Sequence, residues 1–247
     1  MTANALPLAE LAPSLRPAST VMELERLGSF SPTRLSFARR LTRLMSDQGW
    51  RVSRSRFDLD DEGHGEAIYR LDTPAGHYHI VVFSQHLEDA QRTDRVIAEA
   101  WDVTFGLVEG EVDEALMSSL AANVPLQEAG RQHPRLLVIS RANKSVRNFQ
   151  AFVAALASGE QPNVAYLRES GYLYRTTAVY GNGKFGIADY DRLRQGADFQ
   201  HPFSAQMAAI YVLREFSVEQ VEHMARCREP QQVVPLAAPI RRYLGIG

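Results

Sequence analysis

Cysteine and lysine are scarce in this chain of 247 residues, which contains one cysteine and two lysines against 25 arginines. Because Cys227 has no second cysteine to pair with, we expect no internal disulfide and a reducing cytoplasm. The shortage of lysine indicates a GC-rich bacterial genome, in which arginine codons replace lysine codons. The two lysines that remain, Lys144 and Lys184, are then candidates for positions that need a compact ammonium group.

Long apolar runs are also missing. No run approaches the roughly 20 residues that a membrane-spanning helix needs, and prolines interrupt the apolar pieces of the first thirty residues. We therefore predict neither a membrane span nor a signal peptide. The net charge of -2 argues against a dedicated nucleic-acid binder, which usually carries a strong basic excess.

The hydrophobic and turn patterns predict an α+β fold with a mostly antiparallel sheet, helices packed on one side of it, and helical segments at both ends. Turn signals at 61–65 and 73–76 separate three short strands, which we interpret as an antiparallel meander. A fourth strand is predicted within 100–108. The apolar run at 135–140 is predicted to be a strand buried on both faces.

We divide the chain into an N-terminal arm (1–18), one α+β domain (19–227) and a proline-containing tail (228–247). Near the end of the domain, one helix is predicted from Ser204 to Phe216. Ser217 and Gln220 form a capping box that predicts a second helix. We expect the tail to dock to a protein partner or a second copy of the chain, or to continue into a further segment.

The most distinctive stretch is 172–190, in which β-branched and aromatic residues stand on both sides of Gly-Asn-Gly. This composition predicts a β-hairpin whose turn needs positive φ, and the glycines would let a ligand approach the backbone. We predict Lys184 as the catalytic residue, acting as an electrostatic stabiliser. The predicted substrate-binding residues of this hairpin are Arg175, Thr177, Tyr180 and Asn182. The alternative is a hairpin with an ordinary turn.

A second candidate site follows the buried strand, where residues 140–145 lead into a helical pattern. A helix N-terminus carries positive potential and favours anions, so Arg141, Asn143 and Lys144 are predicted to bind the substrate. The alternative is an ordinary surface connection in which Asn143 or Ser145 caps the helix.

Histidine offers weaker signals. His77 and His79 share one face of a strand, but no third ligand follows at a diagnostic spacing, so we predict no metal and no cofactor. His223 precedes Cys227 by one helical turn, so the two can touch. We expect Cys227 to be a half-buried structural residue.

Together these patterns favour an enzyme, or part of one, that binds a small anionic metabolite carrying a phosphate or carboxylate. The first alternative is a non-catalytic scaffold that binds a protein partner. The second is nucleic-acid binding through the arginine-rich segment 34–56, which is the least favoured because ion pairing with the acidic residues that follow explains such a charge run.

Overall fold

Six β-strands and a set of helices make up the part of the chain that the computed structural model describes. That part comprises residues 41, 45–88, 102–122, 133–163, 173–180, 190–199 and 202–243. The strands are β1 (Arg51–Leu59), β2 (Gly65–Thr73), β3 (Gly76–Ser84), β4 (Val103–Glu109), β5 (Leu136–Lys144) and β6 (Tyr174–Tyr180). The helices include α1 (Glu114–Ala121), α2 (Val146–Ala157), α3 (Tyr190–Gln195), α4 (Pro202–Arg228) and α5 (Ala238–Tyr243).

The strands form one sheet in which each strand lies antiparallel beside its neighbour in sequence. The α+β class and the meander of the first three strands are therefore confirmed. The buried run after residue 135 also forms a strand, and its residues 136–142 are buried. β5 is covered on both faces and paired on both edges, which explains its continuous apolar sequence.

The predicted end of the strand at residue 140 is wrong, because β5 continues to Lys144. Its last residues remain paired in register, with Ala142 opposite Val103 of β4 and Lys144 opposite Tyr174 of β6. Ser145 alone separates the strand from α2. Pairing with β4 as far as Ala142 and with β6 as far as Lys144 extends the strand through a segment whose polar side chains indicated a turn.

The larger core lies on the sheet face that α2 and α4 cover. Ile80 and Phe105 of the sheet belong to this core together with Phe152 of α2 and Phe216 of α4, and all four side chains are fully buried. Burying one such side chain contributes about 1.5–3 kcal/mol. This packing therefore fixes both helices against the strands.

α4 is a single helix of 27 residues, so the prediction of two helices is wrong. Ser217 does not cap a new helix. Its Oγ donates to the carbonyl oxygen of Arg214 (2.7 Å) within the same helix, the back-bond by which a serine in the middle of a helix satisfies its hydroxyl. Within the described part of the chain, neither α4 nor any other helix is long and apolar enough to cross a membrane.

The opposite sheet face carries a smaller core. Leu116, Met117 and Leu120 of α1 pack there against residues such as Phe83 and Ile139 of the sheet. The two longer helices thus share one side of the sheet, as predicted, while α1 adds a short layer on the other.

The segment after α4 lies against its own domain as far as residue 243. Leu236 and Ile240 belong to the larger core. The backbone N–H of Leu236 donates to Glu222 (2.9 Å), and Arg241 pairs with Glu215 (2.9 Å). Residues 229–243, which we assigned to the tail, therefore pack against the α+β domain. Docking of the tail to another chain stays a prediction.

Candidate functional site

A cleft of about 400 Å³ lies at one end of the sheet. Five parts of the chain meet there: the β1–β2 turn, the residues after β3, the end of β5, the first turns of α2 and the last turn of α4. Phe149 and Val153 of α2 and Met224 of α4 form apolar walls. The charged and polar lining residues are Asp61, Glu62, His64, His86, Lys144, Gln150, Cys227 and Arg228.

The β1–β2 turn holds His64 in a fixed position. Oδ1 of Asp60 accepts the backbone N–H groups of Glu62 (3.0 Å) and His64 (2.7 Å), and the carbonyl of His64 accepts the N–H of Asp60 (2.8 Å). Gly63 and Gly65 have φ values of 81° and 140°, which other residues rarely adopt. The glycines on either side of His64 are therefore what allow this turn to close.

Gln220 of α4 connects this turn to the core. Its Nε2 donates to the carbonyl of Gly63 (2.5 Å) and to Oγ of Ser84 (3.0 Å), and its Oε1 accepts the hydroxyl of Tyr174 (2.7 Å). The Gln220 side chain is fully buried, and these bonds satisfy both of its ends. One residue thus links the turn, the end of β3 and the start of β6.

His64 and His86 lie side by side at the cleft. Their rings are nearly perpendicular, with centroids 5.3 Å apart. The side chain of His64 is 15% exposed and that of His86 is 56% exposed. Burial lowers the pKa of His64 below its usual value, and the nearby charge of Lys144 lowers it further. Both effects favour the neutral form of the His64 imidazole.

Lys144 stands at the end of β5, where the cleft begins. Its backbone N–H donates to Oδ2 of Asp102 (2.6 Å), and its Nζ lies 5.4 Å from the ring centroid of Phe149. That distance is within the range of a cation–π interaction. The ammonium group therefore lies beside an aromatic wall of the cleft that His64 also lines.

Cys227 also lines the cleft, and it is exposed rather than half-buried as expected. Its Sγ lies 3.6 Å from Nε2 of His223, so the expected contact exists. The same Nε2 lies 2.8 Å from the carbonyl oxygen of Asp60. A carbonyl only accepts hydrogen bonds, so Nε2 carries the proton and is not a base for the thiol.

The structure does not bring Arg141 and Lys144 together. Arg141 is 1% exposed and lies on the face of β5 that carries Ile139 and the smaller core, whereas Lys144 faces the larger core. Asn143 is half-buried and pairs in register with Arg175 of β6.

The hairpin residues remain untested. Arg175, Thr177 and Tyr180 lie in β6, which confirms the first strand of the hairpin but not the roles of these residues. Asn182 and Lys184 lie outside the described residues, as does the Gly-Asn-Gly turn. All five stay predictions as ligand contacts.

The pair His77 and His79 sits at the opposite end of the sheet from the cleft. Glu111 lies beside both rings, with Oε1 3.0 Å from Nε2 of His77 and Oε2 3.8 Å from Nε2 of His79. Arg70 also pairs with Glu111 (3.2 Å), and Nδ1 of His79 contacts the carbonyl of Gly110 (2.7 Å). Glu111 and the carbonyl of Gly110 are polar neighbours of this pair, and the absence of a metal there stays a prediction.

The arginine-rich segment is described only in part. Arg54 pairs with Glu219 (3.3 Å), and Arg56 pairs with Glu66 (2.7 Å) and with Glu114. Arg51 is exposed. Two of the three described arginines of β1 therefore bind carboxylates of the same chain, in keeping with ion pairing rather than with a surface for nucleic acid.

Comparisons with protein-family models, with curated proteins and with solved structures found no match to this chain. The site therefore rests on its geometry. Sequence reasoning missed His64 and His86, although the predicted meander contained the signal. The β1–β2 turn and the residues after β3 lie at the same end of an antiparallel sheet, and the register places Gly65 opposite Ser84. Histidines just beyond those two positions must come close together.

Proposed function

We propose that the cleft binds a small anionic metabolite, with a carboxylate or phosphate group, and that the protein acts on it as an enzyme or enzyme component. The position of Lys144 carries the proposal. Its ammonium group lines a concave site of about 400 Å³, a size that suits a small ligand. Lys144 was one of the residues expected to bind the anion.

The surroundings of Lys144 favour this role. Phe149 and Val153 are buried apolar residues on the cleft wall, and such walls reduce the effective dielectric constant and strengthen the attraction between opposite charges. The first turn of α2, which begins beside Lys144, adds the positive potential of a helix N-terminus. An anion in the cleft thus meets a point charge and a helix dipole from the same side.

Melting temperatures of the full chain, measured with a panel of phosphate- and carboxylate-bearing metabolites, test the proposal. We expect at least one compound to raise the melting temperature, as a ligand specific for the folded state must. Lys144→Gln should weaken its affinity about tenfold, which corresponds to about 1.4 kcal/mol. Arg51→Gln, which removes an exposed positive charge outside the cleft, is the matched control and should leave the affinity unchanged.

Two outcomes contradict the proposal. One is a panel without any stabilising anion, which favours the non-catalytic scaffold instead. The other is an equal loss of affinity in Lys144→Gln and Arg51→Gln, because this result indicates general charge attraction rather than a site at Lys144.

A further inference from the structure

Glu62, His64 and His86 form a cluster of three potential metal ligands at the cleft. One ligand atom from each of the three residues lies within 4.8 Å of the other two. Within the described ranges, no other group of three or more His, Cys, Asp or Glu residues meets this condition. Two imidazoles and one carboxylate form a ligand set that zinc uses in catalytic sites, where a fourth position stays open for water or substrate.

The surroundings of His64 prepare it for coordination. Its Nδ1 faces Oδ2 of Asp60 (3.7 Å), which favours the proton on Nδ1 and leaves the lone pair on Nε2. That Nε2 is buried and has no hydrogen-bond partner among the described residues. A carboxylate beside the non-coordinating nitrogen is the usual support of a metal-bound histidine.

The three residues also differ in how far they are fixed. The hydrogen bonds of Asp60 and Gln220 hold the turn that carries His64. Glu62 and His86 have side chains that are 72% and 56% exposed, so they can rotate toward an ion. The ligand atoms lie within 4.8 Å of one another. Rotation of the Glu62 and His86 side chains around the fixed His64 imidazole would bring them to the shorter separations of a tetrahedral metal site.

We propose that Glu62, His64 and His86 bind one divalent transition-metal ion of the zinc class at the mouth of the cleft. This departs from the expectation of no metal, which rested on the absence of a third ligand at a diagnostic spacing beside His77 and His79. The site shares the cleft with the proposed anion site but does not depend on it. A bound ion would offset the charges of Asp61 and Glu62, and its open position would face the same space as Lys144.

Titration of Zn²⁺ into the metal-free full chain at about pH 7.5, followed by calorimetry, tests the inference. We expect one ion per chain. His64→Ala and His86→Ala should each weaken binding at least about tenfold, and the two variants should keep the melting temperature of the metal-free protein. His86 is exposed, so its variant remains informative if His64→Ala does not fold.

Two control variants separate this site from other zinc ligands. His77→Ala alters the other histidine pair, and Cys227→Ser removes the exposed thiol in the same cleft. Both should bind Zn²⁺ like the unaltered chain. The inference is overturned if no stoichiometric binding occurs, if His86→Ala binds as tightly as the unaltered chain, or if affinity is lost in His77→Ala or in Cys227→Ser.

Anion binding, measured with and without Zn²⁺, distinguishes this inference from the proposed function. Zn²⁺ binding without any Lys144-dependent anion binding would contradict the function and leave the metal site standing. Lys144-dependent anion binding in a chain that takes up no Zn²⁺ would contradict the metal site and support the proposed function.

Discussion

The carboxyl group of Glu215 makes the stability of this protein depend on pH. Glu215 lies on α4 with its side chain 18% exposed. Burial raises its pKa to about 7, Arg241 opposes the rise, and the like charge of Glu219 adds to it. In the unfolded chain the pKa returns to 4.5. Between these values the native state holds a proton that the unfolded state has lost.

The sign follows from proton counting. Because the native state binds more protons in this range, the free energy of unfolding falls as pH rises. Pairing the folded pKa of about 7 with the unfolded value of 4.5 gives a loss of about 2.5 kcal/mol from about pH 5 to about pH 8. This is a large part of the stability of an ordinary domain.

Urea unfolding at several pH values in this range measures the effect. Glu215→Gln should lack the decrease of about 2.5 kcal/mol, since the amide does not ionise yet keeps an oxygen for Arg241. Glu229→Gln removes an exposed carboxylate just beyond α4 and should keep the full decrease. Apart from the substituted carboxyl group, the three proteins contain the same ionisable groups, so the difference between variants isolates Glu215. An equal pH dependence in Glu215→Gln and the unaltered chain would refute the reasoning.

Three further substitutions test other parts of the structure. Gln220→Leu should lower the free energy of unfolding by about 2–4 kcal/mol in urea, because three buried groups lose their hydrogen-bond partner. Gly65→Ala should prevent folding or nearly so, judged by circular dichroism, since its Cβ would clash with the carbonyl oxygen of Asp58 at a positive φ; Gly76→Ala, where a Cβ meets nothing within 4 Å, is the control. Lys184→Arg should keep the melting temperature and weaken anion binding about tenfold if the second lysine also serves the site, and full binding by this variant would end that idea.

Local chemistry explains what the sequence predicts well. The turns before β2 and β3 are encoded by glycine, proline and acidic residues within five positions, and each forms where predicted. The run 135–140 has apolar residues at successive positions, which point to opposite faces of a strand. This pattern is typical of a strand that is covered on both faces. In these cases the signal and the structure involve the same few residues.

Predictions failed where distant contacts decide the local structure. Ser217 and Gln220 fit a capping box, but core packing at Phe216 and Val218 continues the helix through them. Likewise, residues 141–144 indicate a turn by composition and are strand because β6 pairs with all four and β4 pairs with the first two. In both cases tertiary contacts override a weak local preference.

The continuity of α4 also determines the candidate site. The helix passes from the core at Phe216 through Gln220 to Met224 and Cys227, so the residues that fill the core lead directly into the cleft wall. A break at Ser217 would let the last three turns adopt another direction, and Gln220 would no longer reach the carbonyl of Gly63. His64 would then lose the bond that ties its turn to the core. The turn that carries His64 is thus held by an element whose position the larger core fixes, and a preorganised binding site needs such support.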